Sequence, residues 1–92
     1  MAREPLIFRV HAIQRMAQRG ISVEDVRCVL DTGEVIEDYP GDYPYPSALV
    51  LGWVRGCAMH VVAATSPAER IVITVYHPDP ARWEPDFKRR KP

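Results

Sequence analysis

The sequence predicts an α+β fold: an N-terminal helical hairpin packed on a three- or four-stranded antiparallel sheet, in the order (β)ααβββ(β), with a basic C-terminal tail. Three observations predict it. Apolar residues recur at helical spacing between Val10 and Leu30, and a glycine closes each run, Gly20 and then Gly33. From Val35 onward the period changes to two, with turn signals at Arg55-Gly56 and Ser66-Pro67. A chain of 92 residues has length for one core rather than two, so residues 1–92 read as a single domain.

Taken in order, Leu6-Ile7-Phe8 reads as a short strand. Between Val10 and Arg19, the residues Val10, Ala12, Ile13, Met16 and Ala17 fall on one side of a helix, with His11, Gln14, Arg15, Gln18 and Arg19 opposite. A second helix follows at once. Ser22 is its N-cap, Glu24 and Asp25 occupy the positive first turn, and Ile21 is placed to staple against Val26. Val23, Val26, Val29 and Leu30 form its apolar face.

Val35-Ile36 begins a strand, and the proline-rich segment from Tyr39 to Pro46 is an exposed loop, because proline removes backbone donors. Ser47 to Val54, Cys57 to Thr65 and Arg70 to Tyr76 make an antiparallel meander. In its last strand, alternation puts Ile71, Ile73 and Val75 on one face and Val72, Thr74 and Tyr76 on the other. Both faces carry apolar residues, so one takes the hairpin and the other is only partly wet. His77-Pro78-Asp79-Pro80 is a stiff turn. Trp83 and Phe87 stand four apart, as on one face of a short docking helix, although Pro85 between them argues against that helix. Residues 84–92 form a basic tail, either disordered or folded back on the body.

Twelve Lys and Arg balance 12 Asp and Glu, which excludes a generic polyanion binder and leaves room only for a local phosphate site. Cys28 and Cys57 form no Cys-x-x-Cys pair, and Met1-Ala2-Arg3-Glu4-Pro5 does not begin a secretory leader. Free thiols in the cytoplasm are therefore expected, and the lack of a long apolar run predicts no membrane partner. No His-x-x-x-His or Gly-x-Ser-x-Gly spacing is present and no Gly-rich phosphate loop, so neither a metal nor another cofactor is expected.

His11, Arg15 and Arg19 recur every four residues along one ridge of the first helix. They read either as a solvated polar face or as a phosphate clamp, since a guanidinium fork matches phosphate oxygens. His60 lies in a central strand with Ala58, Val62 and Ala64 as face-mates. It is either a satisfied core histidine or a residue that takes and returns a proton near neutrality. Tyr76 is either a strand-end aromatic or a base platform. If Lys88-Arg89-Arg90-Lys91 folds back, it adds phosphate contacts beside Arg15 and Arg19, while Glu34, Glu37, Asp38 and Asp42 form an acidic counterweight.

His11-Ala12, Arg15-Met16, Arg19-Gly20-Ile21-Ser22, Gly33-Glu34-Val35-Ile36-Glu37, Tyr45-Pro46-Ser47, Leu51-Gly52, His60-Val61-Val62, Ile73-Thr74-Val75-Tyr76, Pro78-Asp79, Trp83 and Phe87-Lys88 form an ordered series. It resembles the bacterial domain of unknown function 4258, from about His11 to Arg90. That resemblance implies membership of the RelE/ParE-like toxins of toxin-antitoxin modules, whose fold is a helical hairpin on a small antiparallel sheet. RelE-like members are metal-independent ribonucleases that cut messenger RNA, often on the ribosome, whereas ParE-like members act on gyrase.

On the ribonuclease reading, His60 or His11 activates the ribose 2′-hydroxyl and Arg15 and Arg19 stabilise the phosphorane. Tyr76 and Lys88 then position a base and a phosphate, with Arg89 and Arg90 as further phosphate contacts. The partners implied are RNA or the ribosome, a cognate antitoxin, and a second copy in a homodimer. The alternative is a non-catalytic domain of the same fold that binds an antitoxin or cellular target through its sheet face or through the loop carrying Tyr39, Tyr43, Pro44 and Tyr45. A third reading pairs Arg15 and Arg19 with the acids after Gly33.

Overall fold

The computed structural model describes residues 5–92. They form β1 (Leu6–Phe8), α1 (Val10–Arg19), α2 (Val23–Thr32), β2 (Glu34–Tyr39), β3 (Ser47–Val54), β4 (Cys57–Thr65) and β5 (Arg70–Tyr76). Local chemistry sets the helical hairpin. Gly20 closes α1 with a left-handed φ of 65° and donates its N–H to the Met16 carbonyl, a conformation costly for any residue with a Cβ. Two residues later the Ser22 hydroxyl accepts from the Asp25 N–H at 3.0 Å while the Asp25 carboxylate accepts from the Ser22 N–H at 3.1 Å. This capping box satisfies donors that the first turn of α2 leaves without intrahelical partners. Ile21 and Val26 are both buried, as the staple requires.

The five strands form one sheet in the order β1-β5-β4-β3-β2. Every neighbouring pair is antiparallel except β1 and β5, which run parallel with Leu6 opposite Arg70 and Phe8 opposite Val72. The sheet is therefore mixed, where the sequence predicts an antiparallel one. No hairpin joins β1 to β5; the helices and three strands intervene, so nothing imposes the antiparallel direction that a tight turn would. Between β3 and β4, Arg55 and Gly56 both have positive φ, 50° and 78°, as a two-residue turn matched to strand twist requires.

The helices cover one face of the sheet. Ala12 and Met16 of α1 and Val26 and Val29 of α2 pack on Val50, Met59, Val61, Ala63, Val72 and Val75. Helix α2 comes so close to β3 that a Cβ on Gly52 would lie 2.9 Å from Val29 Cα, a separation only glycine permits. Two expectations about faces need correction. On α1 only Ala12 and Met16 are buried; Val10 and Ile13 remain 70% and 54% exposed, because the helix rests on the edge region of the sheet along a narrow i, i+4 line. In β5 the register shifts opposite Val62 and Ala63, so Val72 and Val75 share the helix face although simple alternation separates them. An extra residue in one strand reverses the alternation beyond it.

The other sheet face is covered by the chain after β5. Trp83 is buried there and pairs with Arg90 through an isolated antiparallel bridge. The segment from Trp83 to Arg90 is a looped strap rather than a helix, consistent with the helix-breaking Pro85. Hydrogen bonds from Glu84 N to Arg89 O and from Lys91 N to Arg82 O, both 2.8 Å, close it. Of the two states open to residues 84–92, the folded-back one is present. Among the described residues, no helix is long and apolar enough to cross a membrane.

Candidate functional site

His60 is the key residue of the strap-covered face. Strand alternation places it opposite Val61, and cross-strand pairing sets it beside Leu51 and Tyr76. It is 0% exposed. Its Nε2 lies 2.8 Å from the Phe87 carbonyl oxygen and its Nδ1 3.2 Å from the Tyr76 hydroxyl. A carbonyl can only accept, so Nε2 carries the proton and Nδ1 accepts from the Tyr76 hydroxyl. Trp83 meets the imidazole edge-on, with ring centroids 4.5 Å apart. Burial pushes the His60 pKa below the ordinary histidine value, opposed by the hydrogen bond to Phe87. Burial also raises the Tyr76 pKa. Together they form a neutral clamp that ties β4 and β5 to the strap.

Charge holds the strap from outside. Arg90 donates to both carboxylate oxygens of Glu37, at 3.0 and 3.1 Å, and its guanidinium lies over Trp83, 4.6 Å from the ring centroid. The Arg90 contact keeps the Glu37 carboxyl below its ordinary pKa, and the Tyr39 hydroxyl donates to the same carboxylate. Lys88 pairs with Glu34 at 3.0 Å and Arg89 with Asp86 at 3.2 Å. The acidic stretch after α2 therefore partners Lys88 and Arg90, not Arg15 and Arg19. Among the described residues no carboxylate pairs with Arg15, Arg19 or Arg82.

At the outer end of β5 a groove of about 330 Å³ opens between the last turn of α1 and the strap. Arg19, Tyr76, His77, Asp79, Arg82 and Arg90 line it, and Trp83 completes the wall. Among the described residues, Arg19, Arg82 and Arg90 line the groove with Asp79, whose Oδ1 accepts from the Ala81 N–H at 2.9 Å, and Arg90 reaches it while paired with Glu37. His77 is exposed, and its Nδ1 lies 3.1 Å from the Ala58 carbonyl oxygen. By the same acceptor argument Nδ1 carries a proton, so in the neutral ring Nε2 is the nitrogen with the lone pair. The arrangement can bind an anion and take a proton from a hydroxyl group beside it.

The sequence candidates therefore divide. Arg19, Tyr76 and Arg90 meet at the groove, while His60 lies buried next to Tyr76. His11 and Arg15 are exposed on α1, in the layer on the opposite side of the sheet from His60, and the fold does not bring them to it. Lys88 and Arg89 lie on the strap in ion pairs outside the groove. Four groove residues, His77, Asp79, Arg82 and Trp83, are not among the sequence candidates. His77 precedes a proline in a turn and so reads as loop punctuation. The available signal was its place directly after an apolar strand, where a stiff His-Pro-Asp-Pro segment fixes a side chain at the sheet's end.

No group of His, Cys, Asp and Glu among the described residues is arranged to hold a metal ion. No curated protein and no solved structure matches the chain. Residues 8–77 match the family described as domain of unknown function (DUF4258). The matched stretch takes in both helices, β2 to β5 and the groove residues Arg19, Tyr76 and His77, and it ends before the strap. With most of its length so matched, the chain belongs to the DUF4258 family.

Proposed function

We propose that this domain is a cytoplasmic RelE-like toxin of a toxin-antitoxin module that binds single-stranded messenger RNA in the groove at the end of β5 and cuts it without a metal. The observation that carries this reading is the convergence of Arg19, Arg82 and Arg90 with His77 on one groove. Guanidinium groups neutralise a phosphodiester and match its oxygens. His77 Nε2 takes the proton of a ribose 2′-hydroxyl, the 2′-oxygen bonds to phosphorus, and the bond to the 5′-oxygen breaks. The leaving oxygen takes a proton from water, and the hydroxide so formed takes back the proton held by His77. The products carry a 2′,3′-cyclic phosphate and a 5′-hydroxyl, and the arginines stabilise the charge that grows on the phosphorane. His60 and Tyr76 act as positioning residues, since they anchor the strap that supplies Arg90.

The test is incubation of the purified chain with end-labelled single-stranded RNA in excess EDTA. Wild type is expected to produce cyclic-phosphate ends. His77→Ala is expected to lower the rate at least about 100-fold, the low end for loss of a general base. A single-stranded DNA of the same sequence, which lacks every 2′-hydroxyl, is expected to bind without being cut. Intact RNA with wild type, together with tight capture of a protein antitoxin, would favour the non-catalytic alternative. Tyr43, 95% exposed in the loop between β2 and β3, is the feature that favours protein docking.

A further inference from the structure

Next to the groove, on the other side of His77, lies a second depression of about 370 Å³. Trp53, Ala58, Pro78 and Phe87 line it with His77, and among the described residues no Lys, Arg, Asp or Glu contributes. Trp53 is 53% exposed, although its neighbours Gly52 and Val54 in β3 are buried. The Phe87 ring meets it edge to face, with centroids 6.0 Å apart and planes at 67°. Phe87 has a φ of 56°, in the left-handed region that a bulky residue rarely enters. Its N–H bonds to the Glu84 carbonyl at 2.8 Å and its own carbonyl accepts from His60, so the buried clamp maintains this backbone.

We infer that the Trp53–Phe87 depression is a base subsite, where an unpaired base of single-stranded RNA stacks on the indole while the adjoining phosphate lies among Arg19, Arg82 and Arg90. The inference rests on the RNA reading above and names the part of the substrate that the groove does not touch. One side chain, His77, lines both depressions, so an apolar aromatic site and a cationic site are a single residue apart. A nucleotide has that same succession of flat base and anionic phosphate. Duplex RNA stacks its bases internally and cannot offer one to the indole, so the subsite selects single strands.

The test measures affinity for a short fluorescein-labelled uridine oligomer by polarisation, and affinity for inorganic tripolyphosphate by competition. Trp53→Ala is expected to weaken the oligomer about tenfold, within the range of one stacked base, and to leave tripolyphosphate unchanged. Trp53→Phe is expected to restore most of the loss, while Arg82→Ala weakens both ligands. Oligomer affinity unchanged in Trp53→Ala but reduced in Arg82→Ala would overturn the subsite and leave the phosphate groove standing. Trp53→Phe as weak as Trp53→Ala would also overturn stacking. Failure of wild type to bind either ligand would overturn both readings.

Discussion

His60 and His77 have opposite fates because only His60 has both ring nitrogens engaged. His60 gives its Nε2 proton to Phe87 and its Nδ1 lone pair to Tyr76, so nothing remains for a ligand. His77 gives only its Nδ1 proton, to Ala58, and stays exposed. The buried one makes stability depend on pH. Its folded-state pKa lies below the unfolded value of about 6.5, so below that pH the unfolded chain binds a proton that the folded chain does not. Stability is therefore full above about pH 6.5 and falls with acidification by up to about 1.4 kcal/mol per pH unit, until the folded-state pKa is reached. Urea melts between pH 7.5 and pH 5 should show this slope in wild type and a flatter profile in His60→Asn; parallel profiles would remove His60 as its source.

At the scale of elements, the hairpin was legible in the sequence because its signals are local. Gly20, Ser22, Ile21 with Val26, and Gly33 each act within a turn of where they stand. Replacing Ser22 by Ala removes one half of the capping box and is expected to destabilise the domain by about 1 kcal/mol, measured as a lower urea midpoint at unchanged slope. Asp25 should retain part of the link through Arg55, whose guanidinium at 3.0 and 3.1 Å holds the carboxyl at a pKa of about 2. The sheet was less legible. The parallel pairing of β1 with β5 joins segments at opposite ends of the chain, and periodicity within either strand carries no record of its partner's direction. The bulge in β5 escaped the same way, since alternation read from one strand assumes regular pairing with the next.

Across the whole molecule, zero net charge conceals a sorted distribution. The acids after α2 secure Lys88 and Arg90 of the strap, and Arg19 and Arg82, which have no carboxylate partner among the described residues, stand with Arg90 at the groove. Sequence spacing found Arg19, but it grouped it with His11 and Arg15 along one helix ridge. The fold groups it instead with residues from β5 and the strap, because α1 ends beside the C-terminal end of β5 and the strap returns there. Phosphate binding at the groove depends on that convergence. Its most direct test is the salt dependence of single-stranded RNA binding by wild type and by Arg82→Ala. Log affinity is expected to fall linearly with log salt in wild type, and losing Arg82 to lower the magnitude of that slope by about 0.7, one phosphate contact to a single strand. Equal slopes in the two proteins, or wild-type binding insensitive to salt, would contradict it.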